Sequence, residues 1–169
     1  MKKVAAKMMI PFLLVFFALC LNTPAAESAG NNIPAAIKEI DKAKSEILVQ
    51  AYSLSSKEIA KALVDAHKRG VRTKIILAKS VISQDTSVAD YIHNMGVPAY
   101  IDSGHDIPES RIIIVDRKTV ITDSLNFSKT SREKNAGYLL ILKSYEPAHV
   151  YVDDWKKHRR HSVAYAGKQ

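Results

Sequence analysis

Cysteine is almost absent from the 169-residue sequence, and this scarcity excludes disulfide bonds as the main stabilisation of the fold. The only cysteine, Cys20, lies in an apolar N-terminal stretch, so the rest of the chain has no thiol with which to form a disulfide. Small exported domains often depend on disulfides. We expect this chain to rely instead on its hydrophobic core or on a second subunit.

The sequence also lacks a hydrophobic run long enough to span a membrane. The apolar run over residues 8–21 is shorter than the ~20 residues that a spanning helix needs, and Pro11 interrupts it. Lysines precede this run, and small residues suited to cleavage after Ala25 or Ala26 follow it. This order of charged, apolar and small residues is typical of a secretory signal peptide.

We therefore predict a signal peptide over residues 1–26 and a single domain over residues 27–169. The composition, with 47% apolar and 25% charged residues, is ordinary for a globular fold. We expect a periplasmic or secreted protein that has no stable membrane span once the signal peptide is removed.

Acidic residues are scarcer than basic ones. The chain has a formal net charge of +8, and removing Lys2, Lys3 and Lys7 with the signal peptide leaves 22 basic residues against 17 acidic ones, a charge near +5. Such an excess favours nucleic acid or anionic lipid surfaces through non-specific electrostatics. A solvated basic surface without a ligand explains the charge equally well, so charge alone does not choose a partner.

Helical and strand-like apolar patterns alternate along the chain. Pro34 opens a first helical pattern, and Ser55 with Glu58 has the capping-box spacing that starts a second helix, which Gly70 ends. This alternation is typical of an α/β sandwich, and we predict a central mixed, mostly parallel sheet flanked by helices. The predicted helices cover residues 33–43, 55–69, 86–94 and 146–161, and the predicted strands cover residues 46–54, 71–78, 97–102, 111–116, 119–123 and 137–142.

The stretch from Glu109 to Asn126 carries the functional signal. A phosphodiesterase that works without metal needs a nucleophile, a cation and hydrogen-bond donors for the phosphate oxygens, and an acid for the leaving group. The phospholipase D superfamily meets these needs with H-x-K-x4-D, followed after six residues by G-S-x-N. The stretch resembles this pattern in spacing, with Glu109, Arg111 and Asp116 at the first three positions and D-S-L-N, residues 123–126, at the last four.

The resemblance extends to nearly the whole predicted mature chain. Residues 49–77 are similar to the first strand–helix–strand unit of the small, single-motif, secreted or periplasmic endonucleases of that superfamily. Residues 91–102, 127–142 and 153–162 are similar to later parts of the same proteins. The resemblance therefore implies a phospholipase D-like domain over residues 27–169.

The family resemblance also implies a homodimer that needs neither metal nor cofactor. In this family one chain brings one motif, and two chains pair so that both motifs meet in one active site. One histidine attacks phosphorus to give a phosphohistidine, the other protonates the leaving oxygen, and lysine and asparagine hold the phosphate. The expected partners are thus a second copy of the chain, nucleic acid or another phosphodiester, and an active homologue.

Carried over by position, the resemblance assigns a degenerate active site. Glu109 stands at the nucleophile's position, where it lacks an imidazole and, when ionised, repels a phosphodiester anion. Arg111 replaces the phosphate-holding lysine and keeps its charge with a different shape. Ser124 and Asn126 match the family and are expected to bind phosphate. Asp116 also matches, and we expect it to order the turn between the two strands.

Two further departures accompany the loss of the histidine. Asp123 replaces glycine and adds an acidic side chain where the family lets backbone and phosphate approach closely. After K-N-A, residues 134–136, the family has glutamate and asparagine, whereas this sequence has Gly137 and Tyr138. In the family that glutamate supports the catalytic histidine, so both partners are missing here.

The other histidines are weak substitutes. His105 lies four residues before Glu109 and is the candidate stand-in, although its spacing to Arg111 does not suit a general base. The six histidines show no dense metal-ligand spacing. We expect His67 and His93 at the surface near helix ends, and His158 and His161 in a solvated basic helix end, with phosphate binding as the alternative for that end.

Three functions are compatible with these residues. The first is a metal-independent phosphodiesterase for DNA or RNA, with phospholipid as the alternative substrate. The second is a non-catalytic module that binds phosphodiesters. The third is a regulator that pairs with an active homologue and inactivates the active site that the two chains share. Loss of a nucleophile commonly costs several powers of ten in rate, so we predict that hydrolysis is impaired or lost.

Overall fold

The computed structural model describes residues 26–29, 33–52, 54–80, 88–104, 111–123 and 139–167, with the backbone alone for residues 26–29 and 123. Within these ranges the chain forms four helices and eight strands. They are β1 (Ala26–Ala29), α1 (Ile33–Asp41), β2 (Glu46–Ala51), α2 (Lys57–Lys68), β3 (Arg72–Ala78), α3 (Ala89–Asn94), β4 (Ala99–Asp102), β5 (Ile112–Val115), β6 (Thr119–Asp123), β7 (Leu139–Lys143), α4 (Tyr145–His161) and β8 (Ser162–Ala164).

The described strands form one mixed sheet in the order β1-β7-β6-β5-β2-β3-β4-β8. The predicted α/β sandwich with a mixed sheet is confirmed. The prediction that the sheet is mostly parallel is wrong, because β2–β3 and β3–β4 are its parallel pairs and the five other described neighbours pair antiparallel. The connections explain this difference: parallel neighbours need a long crossover, whereas the short turn between β5 and β6 makes a hairpin.

The strand directions bring several chain ends together. β2, β3, β4 and β6 run in one direction, and β5 and β7 run in the other. β2, β3, β4 and β6 therefore end at the edge of the sheet where β5 and β7 begin. We term this edge the carboxyl end. The β4–β5 and β6–β7 connections both leave from this end and return to it.

Apolar layers cover both faces of the sheet. β2 is buried along its whole length, and its side chains alternate between two clusters. Val49 belongs to the cluster that contains Ile40 of α1 and Leu63 of α2, whereas Leu48 belongs to the cluster that contains Trp155 of α4. Trp155 also donates its indole N–H to the carbonyl oxygen of Val49 at 2.9 Å. This bond ties α4 to the central strand.

Two local features differ from the sequence-based prediction. Ser56 rather than Ser55 caps α2: its hydroxyl accepts from the backbone N–H of Ile59 at 3.2 Å and donates to the carboxylate of Glu58 at 3.0 Å. The adjacent serines satisfy similar local patterns, so the backbone path selects between them. The short strands β1 and β8 escape prediction because so few residues carry little periodicity.

The signal peptide, its cleavage site and the domain boundary stay predictions. Residues 1–25 lie outside the described part of the chain, and Ala26 begins β1. Among the residues that the structure does describe, no helix is both long and apolar enough to cross a membrane.

Candidate active site

Arg111 lies at the carboxyl end of the sheet, immediately before β5, and its side chain is partly buried. The next residue, Ile112, pairs with Gln50 of β2 on one side and with Thr122 of β6 on the other. The backbone beside Arg111 is therefore held by the centre of the sheet. An arginine here supplies a permanent positive charge and a fork of donors that suits phosphate oxygens.

The backbone of Asp123 occupies the position next to Arg111. Thr122 pairs with Ile112, so the following residue of β6 and the preceding residue of β5 are neighbours at the carboxyl end. Asp123 also pairs with Leu139, the first residue of β7. The fold thus brings Arg111, from the first half of the sequence motif, and the backbone of Asp123, which begins the second half, to the same end of adjacent strands.

Several predicted site residues lie outside the described ranges, and their roles stay predictions. Chain connectivity alone relates them to the carboxyl end, because the segment before Arg111 and the segment after Asp123 both join strands there. The residues concerned are His105, Glu109, Ser124, Asn126, Gly137 and Tyr138.

Asp116 lies at the opposite end of β5 from Arg111, roughly 15 Å away along the strand. Its carboxylate accepts the backbone N–H groups of Lys44, Ser45 and Glu46 at 2.8–3.3 Å and the hydroxyl of Ser45 at 2.8 Å. The role is structural, as expected, but the carboxylate holds the α1–β2 connection in addition to occupying its own turn. Asp116 and Arg111 therefore lie at opposite ends of β5.

Hydrogen bonding sets the ionisation of Asp116. Burial opposes the charged form, but the N–H groups of Glu46, Ser45 and Lys44 and the Ser45 hydroxyl outweigh it, so the pKa of Asp116 lies below its ordinary value. The positive φ angles of Asp116 and Arg117, 50° and 55°, shape the turn that aims this carboxylate at the neighbouring connection. Aspartate tolerates this left-handed conformation better than most residues.

The prediction that His158 lies in a solvated helix end is wrong. Its side chain is only 15% exposed, and its Nδ1 lies 2.7 Å from Oδ2 of Asp102, whose side chain is fully buried. The neighbouring Arg159 is also engaged, with its guanidinium 3.6 Å from the ring centroid of Tyr100. The basic residues of this helix end that are exposed are Lys156, Lys157, Arg160 and His161.

The helix periodicity did not reveal this pair, because Asp102 and His158 are 56 residues apart and meet only when α4 crosses the sheet.

His67 and His93 are partly buried rather than fully at the surface, and His93 packs edge-on against Tyr165. Among the described residues, no group of three or more His, Cys, Asp or Glu side chains is arranged to hold a metal ion.

Comparison with known proteins identifies the family. Residues 36–159 match the family model described as a cardiolipin synthase, PLD-like domain. The chain belongs to the phospholipase D superfamily. The resemblance that the motif spacing and the flanking residues predicted is therefore confirmed.

Two groups of relatives resemble the chain in sequence. The phospholipase D of Rickettsia conorii is 35% identical over 117 residues, which cover 69% of this chain and 58% of the relative. The mitochondrial cardiolipin hydrolase of Mus musculus is 24% identical over 115 residues, which cover 68% of this chain and 52% of the relative. The chain thus spans little more than half the length of these relatives.

Two solved structures match the chain over a greater share of their own length. Nuc of Salmonella typhimurium, a phospholipase D family member, superposes with a TM-score of 0.78 at 31% identity and covers 85% of this chain and 99% of its own. NucT of Helicobacter pylori gives a TM-score of 0.75 at 20% identity, with coverage of 85% and 100%, and shows the fold alone. The Nuc-like phospholipase D fold is therefore confirmed.

Proposed function

We propose that this protein binds phosphodiesters at the carboxyl end of the sheet and that nucleic acid is its preferred ligand. We also propose that its hydrolysis of phosphodiesters is strongly impaired. The observation that carries the proposal is the position of Arg111, held by the central strands where the family motif places its phosphate-binding cation. Arg111 supplies the attraction, and Glu109 at the nucleophile's position removes the imidazole on which phosphoryl transfer in this family depends.

The expected chemistry follows from the substituted groups. Arginine binds two phosphate oxygens through parallel N–H donors, so ground-state binding survives the replacement of lysine. A carboxylate is able to attack phosphorus in some enzymes, but Glu109 would also have to replace the acid histidine of a second subunit. Binding without efficient cleavage is the result.

The remaining features of the proposal come from the family. We propose a homodimer in which two motifs share one site, hydrolysis without metal, and export to the periplasm or beyond the cell. The same dimer interface would also allow pairing with an intact homologue. A subunit that lacks the catalytic histidine would then block a mechanism that needs one histidine from each subunit.

The choice of ligand rests on charge and on the solved relatives. The charge near +5 of the predicted mature chain favours polyanions, and the resemblance to the structure of Nuc favours nucleic acid among them. The names phospholipase D and cardiolipin hydrolase point to phospholipid as the alternative. Both ligands present a phosphodiester to the same cation.

Binding is tested with the purified mature chain and three probes: a DNA oligonucleotide, an RNA oligonucleotide and vesicles of anionic phospholipid. Arg111→Ala should weaken binding of the nucleic acid by about tenfold or more, because a charge-assisted contact is lost. Arg72→Ala is the matched control, since Arg72 is an exposed arginine at the opposite end of the sheet. Equal losses from both variants would contradict a site at Arg111, and preferential binding to vesicles would assign the lipid.

Catalysis is tested by cleavage of plasmid DNA in excess EDTA. We expect no cleavage by the natural chain and cleavage by a restored variant. Cleavage by the natural chain would overturn the impaired-enzyme proposal and direct attention to Glu109 and His105. The restored variant carries Glu109→His, Arg111→Lys, Asp123→Gly, Gly137→Glu and Tyr138→Asn.

The dimer and the regulator are tested separately. Sedimentation velocity should show a dimer of the mature chain, and a monomer at micromolar concentration would contradict the shared site. Co-expression with an active homologue should give a mixed dimer with reduced nuclease activity. Full activity in such a mixed dimer would rule out the regulatory role.

A further inference from the structure

The last turn of α4 lies at the carboxyl end of the sheet, beside the end of β4. Asp102 ends β4, and its Oδ2 lies 2.7 Å from Nδ1 of His158. The next residue, Ser103, donates its hydroxyl to the carbonyl oxygen of His161 at 2.8 Å. These two contacts hold the end of the helix against the same edge of the sheet that carries Arg111.

Two cations of this turn are exposed and unpaired. Lys157 and Arg160 are three positions apart in α4, so they are neighbours on the surface of the helix. Within the described ranges of the chain, no ion pair engages either of them. Their charges are therefore available to an anionic partner.

Lys79 supplies a third exposed cation at the same end of the sheet. β3 ends at Ala78, which pairs with Asp102, so Lys79 follows beside Ser103. The described structure gives Lys79 no ion pair either. The backbone of Lys79 thus lies next to the residue that holds the end of α4.

The described carboxylates around this helix end are already engaged. Asp102 is fully buried beside His158, and Asp154 lies 3.7 Å from Nε2 of the same imidazole. Asp153 pairs with Lys156 at 2.9 Å. None of these three carboxylates forms an ion pair with the three exposed cations.

Together with Arg111, these cations form a line along the carboxyl end, which we call the cation row: Arg111, Lys79, Lys157 and Arg160. Arg111 begins β5, and in the sheet order β3 lies two places and β4 three places from β5. At ~4.8 Å per place, the row spans about 14 Å. Phosphates recur every ~3.4 Å along one strand of B-form DNA, so the row covers about four of them. A line of this length suits a linear polyanion better than a single phosphodiester group.

We propose that nucleic acid binds along the cation row, with Lys79, Lys157 and Arg160 contacting backbone phosphates beyond the one held by Arg111. The inference rests on the proposed function, which it extends from one phosphodiester to a strand several nucleotides long. The anchored helix end favours such binding, because less freedom is lost when the backbone that carries the side chains is already fixed. Contacts to phosphates carry no base information, so the affinity should not depend on base sequence.

The test is fluorescence anisotropy of a labelled single DNA strand of about 16 nucleotides, titrated with the full mature chain at several salt concentrations. Lys157→Gln combined with Arg160→Gln should weaken binding by about tenfold at low salt. It should also reduce the slope of log affinity against log salt by about 1.4, since each lost phosphate contact removes ~0.7 for a single strand. Lys79→Gln should reduce the slope by about 0.7.

The matched control is Lys44→Gln combined with Arg72→Gln. These residues are also one lysine and one arginine, both exposed, but they lie at the opposite end of the sheet. The control should leave the slope unchanged although it removes the same charge. Equal reductions from the two pairs would overturn the cation row and indicate a general effect of net charge.

A structural role for the helix cations predicts a different result. Cations near a helix C-terminus interact favourably with the helix dipole, so their loss would lower stability without changing affinity. Thermal unfolding of the same variants measures that effect. Lys157→Arg combined with Arg160→Lys keeps both charges and should retain the affinity and the slope. Lys79→Gln keeps the test decisive if the Gln pair in α4 fails to fold.

Arg111→Ala, measured with the same DNA strand, separates this inference from the proposed function. Weaker binding by Arg111→Ala but not by the Gln pair in α4 would overturn the cation row and leave the site at Arg111. The reverse result would contradict the site at Arg111 and support the helix end as the nucleic-acid surface. Binding to anionic vesicles in place of DNA would overturn nucleic acid as the ligand, and binding to neither probe would overturn both proposals.

Discussion

The carboxylate of Asp116 accepts both the backbone N–H and the hydroxyl of Ser45 at 2.8 Å, although the two residues are 71 positions apart. This contact joins the β5–β6 turn to the chain that enters β2. β2 and β5 are neighbours in the sheet, so the contact fastens the end of that pair opposite the site. The motif aspartate thus stabilises the strand that carries Arg111 at its other end.

Asp116→Ala should lower the free energy of unfolding by about 2–3 kcal/mol, because several N–H groups lose a charged acceptor. Urea unfolding monitored by circular dichroism measures the change. Asp153→Ala is the control, since its carboxylate is exposed and pairs with Lys156 on the surface of α4. Similar losses from both substitutions would contradict a special role for Asp116.

The contribution of Asp116 should depend on acid pH. Its pKa is lowered in the folded state, so its stabilisation is complete above the unfolded value near ~4 and is lost as pH falls through the folded value. The stability difference between the natural chain and Asp116→Ala should be constant from neutral pH to about 5 and shrink below ~4. A difference that grew on acidification would show the opposite sign.

Trp155→Phe should cost about 1 kcal/mol, because it keeps most of the ring but removes the donor to Val49. Trp155→Ala should cost about 3–5 kcal/mol, since a buried ring of α4 is lost as well. Urea unfolding by circular dichroism compares the two. Equal costs would mean that packing contributes little beyond the hydrogen bond.

Tyr165 should make stability sensitive to alkaline pH. Burial, together with its 2.6 Å hydrogen bond to Asp90, raises the pKa of Tyr165 to about 12. Because the folded value lies above the unfolded one, the stabilisation is present below pH ~10 and is lost as pH rises toward 12. Thermal unfolding should therefore show a steeper loss of stability between pH 10 and 12 for the natural chain than for Tyr165→Phe. Parallel curves would contradict this coupling.

Gly104→Ala should destabilise the protein by about 1–3 kcal/mol, because the new Cβ meets the Cβ of His161. A double-mutant cycle with His161→Gly measures the coupling, since removing that Cβ relieves the contact. The combined variant should be more stable than the two separate losses predict. Additive losses would show that the two positions are independent.

Local sequence patterns predicted most elements and the family. Apolar runs located β2, β3 and β5, and the spacing from Glu109 to Asn126 led to the phospholipase D superfamily. These signals are local because the side-chain period of a strand and the spacing of a motif follow from adjacent residues. The motif letters also showed which chemical groups depart from the family pattern.

Tertiary structure alone decided what lies at each end of the sheet. Strand order and direction place Arg111 at the carboxyl end and Asp116 at the other, and they pair His158 with Asp102. No periodicity encodes these partners, because they are far apart in the chain and meet only through packing of α4 and hairpin closure. The sequence by itself determined the family and the substituted chemical groups, whereas the fold determined which of those groups share a site, since distance in space depends on packing and not on spacing in sequence.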